Sequence, residues 1–159
     1  LKKDVAQCKE CMRYFAKRAD VSICPICADN TRDETLLMIV AKDNDLLTIE
    51  KSDAFRGKYF VLGGIVPILE KDPQKRIRLA LLLSKIKKQD DQKAKLQEII
   101  LALSATHEGE HTGEIITKAI KEIIPEIKIS HLGRGLSTGL EIEYSDRDTI
   151  KAALLNKFE

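Results

Sequence analysis

The strongest chemical signal in the sequence is a set of four cysteines near its N-terminus. They form two pairs, Cys8 with Cys11 and Cys24 with Cys27, and two residues separate the cysteines of each pair. Zinc takes four thiolates in a tetrahedron, and each such pair supplies two of them. Disulfides or redox-active pairs are disfavoured, because intracellular thiols stay reduced and a redox pair needs no second copy. The spacing predicts a structural zinc ion that stabilises a small module and has no open catalytic position.

A second signal is the basic character of the same stretch. Four basic residues lie on and beside the first cysteine pair: Lys9, Arg13, Lys17 and Arg18. Such side chains contact nucleic-acid phosphates in a salt-dependent and sequence-independent way. Two interpretations stay open, since this cluster could lie along DNA or form an ordinary solvated loop around the metal.

The third signal is the stretch 96–113. Glu98–Leu103 has five consecutive apolar residues after one charge, which is typical of a strand buried on both faces of a parallel sheet. We expect a polar loop over Ser104–Gly113 and then a helix over Glu114–Ile124. Open α/β sheets bind ligands beyond the carboxyl ends of their strands, so this loop is a candidate site. Glu108 and Glu110 are its acids.

Three histidines raise the question of a second metal. His107 and His111 have a helical ligand spacing, but Gly109 between them predicts a break in any helix there. We interpret them, together with His131, as loop and strand-end histidines without a metal.

Strands and helices alternate through the rest of the chain. We predict further strands at Leu36–Val40, Lys58–Leu62 and Ile127–Leu132, and helices at Asp45–Lys51, in the second half of 74–88, and at Thr149–Phe158. Lys85–Lys95 is predicted to be a solvated surface turn, Glu141–Tyr144 a short alternating segment, and Ser145 with Asp148 a capping box. The alternation predicts an α/β fold built on a mostly parallel sheet.

Composition narrows the class of protein. The 159 residues fit one ordinary domain with a small satellite, and the net charge of +2 decides neither for nor against nucleic acid. No apolar run approaches about 18 residues and the first residues form no signal peptide, so we expect a soluble intracellular protein with no membrane contact. Because the sequence begins at Leu1, we also expect that part of the natural protein precedes it.

These motifs together resemble the RecR family of recombination mediator proteins. The resemblance covers residues 5–154 and is carried by the cysteine pairs, Arg32-Asp33, Arg56-Gly57-Lys58-Tyr59, Val61-Leu62-Gly63-Gly64, Glu108-Gly109-Glu110 with Thr112, Gly135-Leu136, Glu143-Tyr144 and Asp146. It implies a four-cysteine zinc finger over 1–33, a Toprim domain over 34–132 and a C-terminal segment over 133–159 used in subunit assembly. It also implies that a helix-hairpin-helix region precedes Leu1.

The Toprim resemblance bears directly on catalysis. Toprim enzymes hold Mg²⁺ with a glutamate after one strand and a DxD pair after another, because this hard cation takes oxygen ligands. The corresponding positions here are Ala41, Ser104 and Thr106, which carry no charge. We therefore predict no catalytic residues.

The resemblance implies a DNA-repair function without catalysis. We expect an oligomeric clamp, a dimer or a tetrameric ring, that binds single- and double-stranded DNA. With a RecO-like partner, and in some settings RecF, it would help load a recombinase on single-stranded gaps in the bacterial cytoplasm, at the nucleoid. Glu108 and Glu110 would bind the partner, and the basic residues of the finger would bind DNA. A metal-dependent Toprim nuclease or primase-like enzyme and a degenerate relative that keeps only the scaffold are the alternatives.

Overall fold

The computed structural model describes residues 4–16, 21–91, 95–139 and 141–157. Its N-terminal part has two short antiparallel strands, β1 (Val5–Gln7) and β2 (Tyr14–Ala16), and a one-turn helix, α1 (Pro25–Ala28). The first cysteine pair occupies the turn between β1 and β2, and the second lies at the start of α1. None of these three elements contains a fully buried residue, whereas Cys8, Cys11 and Cys24 are fully buried. The cysteines are therefore the core of this module.

Four parallel strands form the main sheet. They are β3 (Asp33–Val40), β4 (Gly57–Val61), β5 (Glu98–Ala102) and β6 (Lys128–His131), in the spatial order β4-β3-β5-β6. The apolar strand β5 lies between β3 and β6, as predicted for a strand buried on both faces, and the predicted parallel α/β fold is confirmed. Val40 pairs with both Val61 and Ala102, so three of the strands end at one edge of the sheet.

Helices cover both faces of this sheet. They are α2 (Asp43–Lys51), α3 (Leu79–Asp90) and α4 (His107–Ile123). After β6 the chain continues into α5 (Arg147–Leu155), which has no buried residue, and short 3-10 helices lie at Pro73–Lys75 and Ile142–Tyr144. Side chains alternate along β3: Leu37 and Ile39 join the core beneath α3 and α4, while Met38 and Val40 join the core shared with α2 and the cysteines. The cysteine module is thus part of one layer of the fold.

The predicted loop over Ser104–Gly113 is wrong, because α4 already begins at His107. Thr106 is its N-cap, and its Oγ1 accepts a hydrogen bond from the Gly109 N–H at 3.1 Å. The glycine we took as a helix breaker is required by the packing. A Cβ at Gly109 would lie 2.0 Å from the carbonyl oxygen of Ser104, so only glycine lets the first turn of α4 approach the end of the preceding loop this closely.

Three other local predictions are corrected. Residues 85–90 of the predicted surface turn belong to α3, because Leu82 and Ile86 continue a buried helical stripe. The segment 141–144 contains a 3-10 helix instead of an alternating extended segment. The helix α5 starts before Thr149 with Asp146 as its N-cap, since that carboxylate accepts the Thr149 N–H at 2.9 Å.

Within the described parts of the chain, no helix is both long enough and apolar enough to cross a bilayer.

The division of the chain into a finger over 1–33, a Toprim domain over 34–132 and a C-terminal segment over 133–159 stays a prediction.

Candidate functional site

The sulfurs of Cys8, Cys11, Cys24 and Cys27 all lie within 4.8 Å of one another. The Cys11 and Cys24 Sγ atoms are 3.7 Å apart, which is far longer than a disulfide bond of about 2.05 Å. A tetrahedron with metal–sulfur bonds of about 2.3 Å has edges of about 3.8 Å. The donor set therefore fits a four-coordinate thiophilic ion, and all four positions of that ion would be filled by protein.

Local backbone geometry positions these sulfurs. The Cys24 N–H donates to the Cys8 Sγ at 3.3 Å, and Met12 adopts a left-handed φ of 64° as the chain turns after Cys11. A hydrogen bond from Cys11 lowers the pKa of the Cys24 thiol to about 6, while the neighbouring Cys24 raises the pKa of Cys11. Four thiols this close cannot all ionise alone, since like charges repel, and a bound cation removes that repulsion.

The cysteine module covers the free edge of β4. The Val61 N–H donates to the Cys11 carbonyl at 2.9 Å, so a strand edge that would otherwise be open is paired with the first cysteine turn. Lys58, also on β4, directs its Nζ to the carbonyls of Cys27 at 3.1 Å and Asp29 at 2.9 Å. The four-cysteine cluster is therefore tied directly to the main sheet.

A buried ion-pair network supports the same junction. Arg32 is 9% exposed, and its guanidinium donates to both carboxylate oxygens of Glu50 and to the Gly57 carbonyl. The Tyr59 hydroxyl donates to the Glu50 Oε1 at 2.8 Å. Burial alone raises the pKa of Glu50, but the hydrogen bonds from Arg32 and Tyr59 outweigh it and hold the pKa below its ordinary value. Glu50 is thus charged at neutral pH and holds Arg32 in place, directly before the start of β3.

The shared carboxyl edge of the sheet lacks the acids that Mg²⁺ would need at the expected positions. Ala41 follows β3, and Ser104 and Thr106 follow β5 with their hydroxyl oxygens 3.1 Å apart. Asp43 and Asp45 belong instead to the start of α2: Asp43 accepts the Tyr14 N–H at 3.2 Å and Asp45 accepts the Lys42 N–H at 3.0 Å. These residues do not form a Toprim-type magnesium site.

Glu108 and Glu110 lie in the first turn of α4, and both are exposed. Carboxylates there are stabilised by the helix dipole, which gives both residues a structural reason to be acidic. Glu110 also pairs with Arg134 at 2.9 Å across a cavity of about 580 Å³ between α4 and the end of β6. His131 lines this cavity as well. Glu110 thus lies at a surface concavity, whereas Glu108 is exposed outside its lining.

The predicted basic cluster is described only in part. Lys9 is exposed on the first cysteine turn and Arg13 is half-buried, whereas Lys17 and Arg18 lie outside the described residues. Lys85 and Lys88, which were predicted to lie in a solvated surface turn, line one groove between α3 and the finger together with Lys9. Their three-residue spacing on a helix is the signal that could have grouped them.

Comparisons with known proteins agree with this architecture. Residues 35–133 match the model of the Toprim domain family. A protein named "Recombination protein RecR" from Lactobacillus helveticus is 36% identical over 154 residues, which cover 97% of this chain and 72% of that protein. Proteins of the same name from Psychrobacter sp. (33% identical, 97% of this chain and 73% of the relative) and Parabacteroides distasonis (34% identical, 100% and 71%) are also similar.

One assignment follows from the four-cysteine cluster, the four-stranded parallel sheet and the 36% identity over 97% of this chain. The chain belongs to the RecR family of recombination proteins.

Proposed function

We propose that this protein is a non-enzymatic mediator of recombinational DNA repair in the bacterial cytoplasm. It would bind DNA as an oligomeric clamp and, with a RecO-like partner and in some settings RecF, help load a recombinase on single-stranded gaps. The observation that carries the proposal is the carboxyl edge of the sheet, where the strands of the scaffold are kept while Ala41, Ser104 and Thr106 supply no carboxylate. A Toprim scaffold without its metal-binding acids is suited to binding DNA or a partner protein and not to catalysis.

Zinc is the metal we assign to the cysteine cluster. Four thiolates without an open position favour Zn²⁺ in a structural role, and the binding free energy of such sites is on the order of 10–16 kcal/mol in finger peptides. When bound, the ion would hold Cys8, Cys11, Cys24 and Cys27 in place and keep the finger on the edge of β4. It would take no part in chemistry on a substrate.

Glu108 and Glu110 are the residues we propose for partner binding. Among the described residues Glu108 forms no ion pair, so its carboxylate is open to a basic group on another protein, whereas a partner would have to compete with Arg134 for Glu110. Lys9, Arg13, Lys17 and Arg18 remain the proposed DNA contacts of the finger.

A pull-down with the RecO-like protein of the same organism tests the partner surface. Glu108→Lys should lower the affinity at least tenfold, because it places a positive charge at the proposed contact. Glu122→Lys is the matched control, since Glu122 is exposed on the same helix about 21 Å away. Equal binding by wild type and Glu108→Lys would refute the surface. No binding by wild type would refute the mediator function and favour a relative that keeps only the scaffold.

The alternative of a metal-dependent nuclease or primase-like enzyme has its own test. A magnesium titration with nicked and single-stranded DNA should give neither metal binding at the sheet edge nor cleavage. Metal-dependent cleavage would overturn the non-enzymatic proposal. Light scattering should show a dimer or tetramer, and a monomer at every concentration would contradict the clamp.

A further inference from the structure

A groove runs between the finger and α3, beside the outer edge of β4. It has a volume of about 370 Å³. Lys9 and Glu10 form part of its finger wall, Lys85 and Lys88 part of its helix wall, and Lys58 lies at its base. Three separate elements of the fold therefore bring lysines to one concave surface.

Only part of the positive charge in this groove is neutralised within the protein. Glu10 neutralises Lys85 at 3.0 Å, and Lys58 donates to two backbone carbonyls without any acid. Lys9 and Lys88 are exposed on opposite walls, and neither forms an ion pair within the described part of the chain. With Glu34 as the second acid in the lining, four lysines face two glutamates. The groove consequently carries net positive charge.

Apolar side chains line the space between the lysines. Met12 and Ile23 line the finger side, and Leu81 of α3 is 50% exposed. A phosphodiester strand has the matching chemistry, with anionic phosphates for the lysines and nonpolar base faces for the apolar lining. The lining contains no exposed aromatic ring, so the fit is to the backbone and not to a particular base.

We propose that this groove, defined by Lys9, Lys58, Lys85 and Lys88, binds single-stranded nucleic acid through its phosphates. The inference rests on the proposed function and deepens it, because it places the contact between the finger and α3 and adds residues outside the finger. A space of this size takes one extended strand, whereas a duplex reaches only its rim. Glu10 holds Lys85 and the finger holds Lys58, so these two lysines fix the position of one wall relative to the other. Lys9 and Lys88 contact the phosphates.

The experiment uses the zinc-loaded full chain and fluorescence anisotropy with a labelled oligo-dT, over a range of salt concentrations. The double variant Lys9→Gln/Lys88→Gln should weaken binding on the order of tenfold at 0.1 M salt and reduce the slope of log K against log salt by about 1.4, for two lost phosphate contacts at about 0.7 each. The control Lys51→Gln/Lys71→Gln removes the same charge from exposed positions outside the groove and should leave the slope unchanged.

The outcomes separate this inference from the proposed function. If wild type binds and Lys9→Gln/Lys88→Gln binds with the same affinity and slope, the groove is refuted while DNA binding stands. If wild type binds no DNA even at low salt, DNA binding by this chain fails and the groove fails with it. A duplex of the same length that binds as tightly and loses as much in the variant would overturn the assignment to a single strand.

Discussion

Gly109 offers the sharpest test of how the first turn of α4 is built. A Cβ at this position would lie 2.0 Å from the Ser104 carbonyl oxygen and 2.8 Å from its Oγ. Side-chain carbons essentially never approach other atoms closer than 3.0 Å, so Gly109→Ala must move the helix start or the preceding loop by about 1 Å. Overpacking of this kind costs about 1–3 kcal/mol, and displacement of the Thr106 cap adds about 1 kcal/mol. The better helix propensity of alanine returns about 1 kcal/mol. The last two contributions cancel, so we expect a net loss of about 1–3 kcal/mol.

Gly113 is the matched control, because it lies one turn further along the same helix. Its Cβ would meet the nearest atom, the His131 Cε1, at 3.6 Å, which is an ordinary van der Waals contact. Gly113→Ala should therefore stabilise the protein by about 0.5–1 kcal/mol through helix propensity. The same substitution thus has opposite signs at two positions four residues apart.

Urea and thermal unfolding, followed by far-UV circular dichroism at a fixed zinc concentration, measure both variants. For a chain of this size, Gly109→Ala should lower Tm by about 2–12 °C. Wild-type stability of Gly109→Ala, or a destabilised Gly113→Ala, would refute the packing argument. If Gly109→Ala also weakens partner binding, the position of Glu108 and Glu110 depends on this close approach.

Two further predictions concern the finger and its junction with the sheet. Cys24→Ser should reduce the zinc content of the protein, measured by atomic absorption. It should also expose the edge of β4 where the Val61 N–H bonds the Cys11 carbonyl, so we expect faster hydrogen exchange at the Val61 amide. Unchanged exchange in a zinc-free variant would contradict a metal-dependent finger. Glu50→Gln should cost about 3 kcal/mol at pH 7, because the buried Arg32 charge loses its bidentate partner and keeps only Asp29, at 3.6 Å. The folded-state pKa of Glu50 lies below its ordinary value of 4.5, so the wild-type advantage should be fully present above pH 4.5 and lost as the pH falls through the folded pKa. A pH-independent difference in the free energy of unfolding between wild type and Glu50→Gln would contradict this assignment.

Several features of this protein follow from local sequence alone. The cysteine spacing predicted the cluster because two residues between thiols is a local geometric property that needs no distant contact. The runs Leu36–Val40 and Glu98–Leu103 predicted interior strands, since unbroken apolar residues have few other stable environments. The absence of carboxylates at 41, 104 and 106 is likewise a property of the chain.

Other features depend on groups that are distant in sequence or on the space between them. Gly109 looks like a helix breaker in sequence, but the Ser104 carbonyl leaves room for nothing larger, so tertiary packing overrides its low helix propensity. The pairing of Glu50 with Arg32, 18 residues away, needs the fold to bring them together. The same holds for Lys9 and Lys88, which lie far apart in the chain and line one groove only because the finger covers the edge of β4. The sequence determined which chemical groups are available, and the tertiary structure decided which of them share a surface, because burial and electrostatic coupling act between neighbours in space.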